Sequence, residues 1–136
     1  MKTNYSITLQ TIKRIFLIVF LILVSNTVTA QFITTWQTTN LPNETVIIPT
    51  FPGETYNYTV DWGDGTVDTG VTGDATHLYS TTVLHTVTIT GLFPRIYFNN
   101  GNGHEGKILS VEQWGTNPWA SMGKAFMGCY NLKINA

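Results

Sequence analysis

The sequence predicts a mainly β protein whose exported part opens with a small β-sandwich. Two segments show strict two-residue alternation, residues 55–62 (TYNYTVDW) and residues 85–90 (HTVTIT). In each segment apolar side chains point to one face and mostly threonine or other polar side chains to the opposite face, the pattern of a half-buried strand. Turn residues separate these segments from shorter candidate strands, and several short strands at such spacing are typical of a sandwich.

The first alternating segment places four large apolar residues inward: Tyr56, Tyr58, Val60 and Trp62. The second places Val87 and Ile89 inward and threonines outward, where the branched Cβ suits a pleated surface. Shorter strands are predicted at 32–36, 45–48, 75–79 and 108–111.

The first thirty residues are predicted to be a secretory signal peptide. A positively charged start precedes the apolar run IFLIVFLILV at 15–24, and small residues follow at Val28-Thr29-Ala30. Ten apolar residues extend only ~15 Å as a helix, against a hydrocarbon core of ~30 Å, so a membrane anchor is the weaker interpretation. We therefore expect cleavage after Ala30 and no stable membrane span afterwards.

The charge of residues 31–136 argues against nucleic acid as a partner. Four basic residues face eight acidic ones there, whereas phosphate binding needs clustered Lys and Arg. The charges are also uneven, since residues 31–93 contain no Lys or Arg. This shift predicts a module boundary near Pro94: a sandwich at 31–93, a linker at 94–107 and a second unit at 108–136.

Gly63-Asp64-Gly65 is the sharpest local signal. It follows an alternating strand, and Asp-Gly suits backbone with positive φ, so a tight hairpin turn is predicted. The alternative interpretation is a calcium site formed by Asp61, Asp64 and Asp68. The spacing does not match an EF-hand loop, and turn chemistry is therefore favoured.

These residues lie within a larger pattern. Asp61-Trp62-Gly63-Asp64-Gly65-Thr66, then His77-Leu78-Tyr79 and then the strand at 85–90 resemble the polycystic kidney disease (PKD) domain over about residues 32–91. The resemblance implies an immunoglobulin-like β-sandwich that serves as a spacer or interaction module on cell surfaces. The sequence departs from the family at Thr82-Val83, where Pro-Gly is usual, and at His85, where Tyr is usual.

The segment from Leu92 to Ala136 changes character. In 119–132 (WASMGKAFMGCYNL) apolar residues fall near helical spacing, while Gly123 and Gly128 weaken a helix, so only a short helical unit is predicted. This segment and the preceding strand resemble the opening unit of BspA-type leucine-rich repeat surface proteins. Phe126 and Cys129 fall within this motif, and the resemblance implies that the position of Cys129 is a core position. At least about three repeats are needed for stability, so we expect an incomplete first unit of a longer array.

No catalytic constellation is recognisable. His77, Ser80 and Asp74 suggest a triad, but no nucleophile elbow accompanies them, and His77 is expected to fix a turn instead. Cys129 is the only cysteine and is expected to be buried rather than reactive. The four tryptophans could form a sugar-stacking platform, although core packing is favoured because aromatics contribute much of a small core.

These observations predict an exported bacterial cell-surface protein with a noncatalytic interaction or adhesion role and no cofactor. The sandwich would act as a spacer and the repeats as the face that binds a protein or glycan on another cell or on matrix. The alternative is an accessory module, carbohydrate-binding or spacer, of a secreted hydrolase.

Overall fold

A computed structural model describes residues 31–39, 43–81, 83–101 and 103–136. The predicted signal peptide at 1–30 lies outside the described residues. The described residues form eight strands: β1 (Phe32–Gln37), β2 (Glu44–Ile48), β3 (Asn57–Asp61), β4 (Val67–Val71), β5 (Ala75–Tyr79), β6 (Leu84–Leu92), β7 (Ile108–Gln113) and β8 (Lys133–Ile134). The prediction of a mainly β, sandwich-like fold is confirmed.

The strands form two sheets. The larger has the order β4-β3-β6-β1-β7-β8, and the smaller contains β2 and β5. Pairing is antiparallel throughout, except that β7 and β8 run parallel. Lys107, just before β7, forms an ion pair with Glu44 at 2.9 Å and thus links the two sheets at one end.

Alternation predicted the buried faces correctly. All four inward residues of the first alternating segment are buried, and Val60 and Trp62 have no exposed surface. On β6, Val87 and Ile89 are likewise buried, while Thr86 is exposed. Both strands lie inside the larger sheet with one face against the core, which is the situation that imposes strict alternation.

The segment after Pro94 shares the core of the preceding sandwich. Residues 94–107, predicted as a linker, contribute Ile96 and Phe98 to the core cluster. Further along, β7 pairs with β1 through Thr35↔Ser110 and Trp36↔Ile108. The larger sheet therefore draws strands from both sides of the charge boundary.

The short helix predicted within 119–132 does not form. Successive turns take its place, with Ala125 N–H donating to the Met122 carbonyl at 3.1 Å and Cys129 N–H to that of Phe126 at 3.0 Å. Lys124 (φ 58°) and Gly128 (φ 90°) adopt left-handed backbone. A right-handed helix cannot continue through residues with left-handed backbone. The helical spacing of the apolar residues therefore predicted a helix that the backbone conformation does not allow.

Candidate functional site

The Gly63-Asp64-Gly65 motif forms the hairpin turn between β3 and β4. Trp62 N–H donates to the Thr66 carbonyl at 3.1 Å and closes a loop of three residues. Gly63 (φ 76°) and Gly65 (φ 92°) both occupy the left-handed region. A Cβ at Gly63 would collide with the Thr86 carbonyl oxygen on β6, whereas a Cβ at Gly65 would meet open space. The turn thus needs glycine at position 63 because of both its positive φ and the lack of room for a Cβ. At position 65 the positive φ alone favours glycine.

Asp64 binds the turn to the second sheet. Its Oδ1 accepts hydrogen bonds from Thr66 N–H at 3.0 Å and Thr66 Oγ1 at 2.6 Å, and its Oδ2 lies 2.8 Å from His77 Nε2 on β5. Partial burial would raise the pKa of Asp64, but the bonds from Thr66 and His77 outweigh it and lower the pKa to about 2. His77, which lies on the smaller sheet, therefore fixes the β3–β4 turn of the larger sheet through its contact with Asp64.

A column of rings continues from this contact into the core. His77 stacks on Trp62 with ring centres 4.8 Å apart, and Tyr79 lies edge-on to His77 and stacks on His85. Tyr79 Oη donates to the Trp62 carbonyl at 2.7 Å. Burial lowers the pKa of His85, although a hydrogen bond to the Thr81 carbonyl opposes this change. These ring contacts join the two sheets. Trp62, His77 and Tyr79 therefore all have a packing role.

The three aspartates of the calcium alternative each accept hydrogen bonds from the protein itself. Asp61 Oδ1 accepts from Gly63 N–H at 2.9 Å, and Asp68 Oδ2 accepts from Trp62 Nε1 at 2.8 Å. Within the described ranges, no group of three or more His, Cys, Asp or Glu side chains is placed to hold a metal ion. Asp61 and Asp64 each form an Asx-type turn, in which the carboxylate accepts from the backbone N–H two residues later, whereas Asp68 accepts from an indole N–H.

The triad candidates do not converge as a triad requires. His77 pairs with Asp64, while Asp74 Oδ1 accepts from Thr50 N–H at 2.7 Å and from Thr50 Oγ1 at 2.6 Å. Asp74 therefore anchors the end of β2 rather than orienting a histidine.

Aromatic residues from the segment after Pro94 pack against the sandwich at 31–93. Trp36 and Trp62 are fully buried, and Trp114 and Trp119 are half-buried around Phe32, at ring distances of 5.8 Å and 5.0 Å. All four tryptophans therefore contact the core, and the two half-buried ones form a continuous cluster with it.

Phe126 and Cys129 also pack against the core cluster. Phe126 lies against Phe98 and Trp114, and Cys129 is half-buried. Burial, with the nearby charge of Glu105, raises the pKa of the Cys129 thiol to about 12. Such a thiol stays protonated at neutral pH and is a poor nucleophile.

Parallel pairing of β7 with β8 brings together residues that the sequence reading did not connect. The pairs Ser110↔Lys133 and Val111↔Ile134 are both separated by 23 residues. Beside them a cleft of about 450 Å³ opens on the sheet surface, lined by Gln37, Leu109, Ser110, Asn131, Lys133 and Asn135. The matching tripeptides Leu109-Ser110-Val111 and Leu132-Lys133-Ile134 were the signal that could have revealed this pairing.

No helix in the described part of the chain is long and apolar enough to cross a membrane. No protein-family model matches the chain, and comparisons with curated proteins and with solved structures likewise gave no match.

Proposed function

We propose that this chain is an exported bacterial cell-surface protein with a noncatalytic interaction role. In this proposal the PKD-like β-sandwich is a spacer, and a leucine-rich repeat array of the BspA type begins at β7 and presents the binding face. The role is adhesion to a protein or glycan on another cell or on matrix. The signal-peptide pattern at 1–30 supports export.

The parallel β7–β8 pair carries the proposal. Leucine-rich repeats place one strand per repeat of 20–29 residues in a parallel sheet, and the observed offset of 23 residues falls in that range. The intervening turns pack Phe126, Cys129 and Leu132 against the core, and the proposal takes the position of Cys129 as the core position of such a repeat. Ile134 is 52% exposed on β8, at the position that a next parallel strand would cover.

The sandwich supports a spacer role because its motif residues connect the two sheets. The Asp64–His77 contact and the Trp62–Tyr79 hydrogen bond both join β3 and its turn to β5. A spacer between a cell surface and a binding face carries mechanical load. Contacts between the two sheets help such a module, because the sheets cannot be pulled apart without breaking these contacts.

The test is labelling of intact cells of the producing organism with a membrane-impermeant amine reagent, followed by affinity purification of this protein. Exposed lysines such as Lys124 and Lys133 should be labelled as strongly as in lysed cells. A cytoplasmic protein serves as the control and should be labelled only after lysis. Labelling that requires lysis would contradict surface display. If the protein is displayed and adhesive, a strain that lacks its gene should adhere less to other cells or to matrix than the parent strain.

A further inference from the structure

The cleft beside β7 and β8 has the size of a small-ligand site and a mainly polar lining. Its volume of about 450 Å³ lies within the ~300–1,000 Å³ usual for ligand pockets. Five of its six lining residues carry amide, hydroxyl or ammonium groups, and Leu109 is the apolar exception. Gln37 comes from the sandwich, whereas the other five come from β7, β8 and the residues flanking β8.

Two asparagine amides in the cleft are held in fixed orientations. Asn131 Nδ2 donates to the Gly106 carbonyl at 2.9 Å, and Asn135 Nδ2 donates to Glu112 Oε1 at 2.9 Å. Within the described part of the chain, neither Oδ1 atom accepts a hydrogen bond. An amide oxygen has two lone pairs, so both asparagines present acceptors that a bound ligand can use.

The cleft also offers hydrogen-bond donors. Among the described residues, no partner engages the ammonium group of Lys133 or the side-chain amide of Gln37. Ser110 Oγ donates to Glu112 Oε1 at 2.5 Å and contacts Thr35 Oγ1. A site with fixed acceptors next to unused donors suits hydroxyl groups, because a hydroxyl donates and accepts at once. It suits a simple anion less well, because the carboxylate of Glu112 lies beside it.

An exposed aromatic residue, Tyr130, directly precedes the lining residue Asn131 in the chain, and it does not itself line the cleft. Tyr130 is 83% exposed, and its hydroxyl end packs over Gly106, the residue whose carbonyl accepts the Asn131 bond. Tyrosine combines an apolar ring face with a polar tip. Such a face can stack on the C–H surface of a sugar ring while the neighbouring amides bond its hydroxyls.

We infer that this cleft binds a saccharide, with Asn131 and Asn135 accepting from its hydroxyls, Lys133 and Gln37 donating to its oxygens, and Tyr130 stacking on the ring. The inference rests on the proposed interaction role and names the ligand class for it. Neutral sugars and uronic acids share this chemistry, and Lys133 would pair with the carboxylate of the latter.

The test uses the full protein purified after export and a glycan array that carries neutral oligosaccharides, uronate oligosaccharides and a peptide set. We expect binding to a saccharide of either class. Lys133→Ala and Tyr130→Ala should each weaken it about tenfold, the equivalent of one hydrogen bond or ring contact. Tyr130→Phe should bind like the wild type, because the ring is kept. Gln37→Ala should weaken binding, while Gln113→Ala, the same change on the neighbouring strand outside the cleft, should not.

Urea midpoints equal to that of the wild type would show that the variants are folded. Wild-type binding to uronates alone, weakened in Lys133→Ala, would identify the acidic class, and wild-type binding to neutral oligosaccharides, weakened in the same variant, would identify the neutral class. Binding to no saccharide, binding to peptides only, or saccharide binding unaffected by the Lys133 and Tyr130 variants would each overturn the inference. Because surface labelling does not depend on ligand binding, a labelled protein that binds no saccharide would refute this inference and leave the proposed function intact.

Discussion

Replacing Trp62 by alanine should remove the largest single contribution to the contact between the two sheets. Trp62 has no exposed surface, stacks on His77, lies edge-on to Tyr79 and donates from Nε1 to Asp68. Truncating a buried tryptophan costs ~3–5 kcal/mol, against a total stability of ~5–15 kcal/mol for folded domains. At about 4–8 °C per kcal/mol for a domain of this size, the melting temperature should fall by roughly 15 °C or more.

The matched control is Thr59→Ala, on the outer face of β3, the strand that Trp62 directly follows. It should change the free energy of unfolding by no more than about 0.5 kcal/mol, since it empties no core volume. Urea denaturation followed by tyrosine and tryptophan fluorescence or circular dichroism gives both midpoints. Equal midpoint shifts for the two variants would mean that β3 is out of register by one residue, and the assignment of its inner face would be wrong.

The remaining predictions concern the turn and the cysteine. Gly63→Ala should destabilise the protein more than Gly65→Ala in urea melts, because both suffer backbone strain but only the first collides with β6. The lowered pKa of Asp64 means that its ionised form stabilises the fold above pH 3.8, and this contribution is lost as pH falls toward about 2. The stability difference between wild type and Asp64→Asn should therefore shrink over that range and disappear in acid; a constant difference would contradict the stabilisation of the Asp64 carboxylate by Thr66 and His77. Melting temperature should not change with calcium or chelator, since the carboxylates already accept protein hydrogen bonds. Finally, the Cys129 thiol should react with iodoacetamide far more slowly in the folded than in the urea-unfolded protein, as its raised pKa requires.

The strands predicted from the sequence were those with one buried and one exposed face. β3 and β6 show alternation because each packs one face against the core and leaves the other face less buried. β4 escaped prediction as a strand because four of its five residues are exposed, so no face carries an apolar pattern. β8 contains two residues, too few for any periodicity to register.

The cross-chain contacts could not be read from local patterns. Asp64 was expected to serve the turn, with a calcium site as the alternative, yet its second oxygen contacts His77 on the other sheet. The cleft likewise joins Gln37 to Leu109 and Ser110 through the non-local pairing of β1 with β7, and to residues 131–135 through the further pairing of β7 with β8. Periodicity reports which face of an element is buried, and it carries no information on which element covers that face.

The β7–β8 pairing supports both the repeat proposal and the saccharide cleft, and a disulfide test addresses it most directly. In a Cys129→Ala background, Ser110→Cys with Lys133→Cys should oxidise readily, because paired Cα atoms lie within the range that a disulfide bridges. Ser110→Cys with Asn135→Cys, two residues out of register, is the control. Mass spectrometry of unreduced peptides should find the 110–133 link in high yield and little of the 110–135 link. Equal yields, or a dominant 110–135 link, would contradict the parallel register on which the account depends.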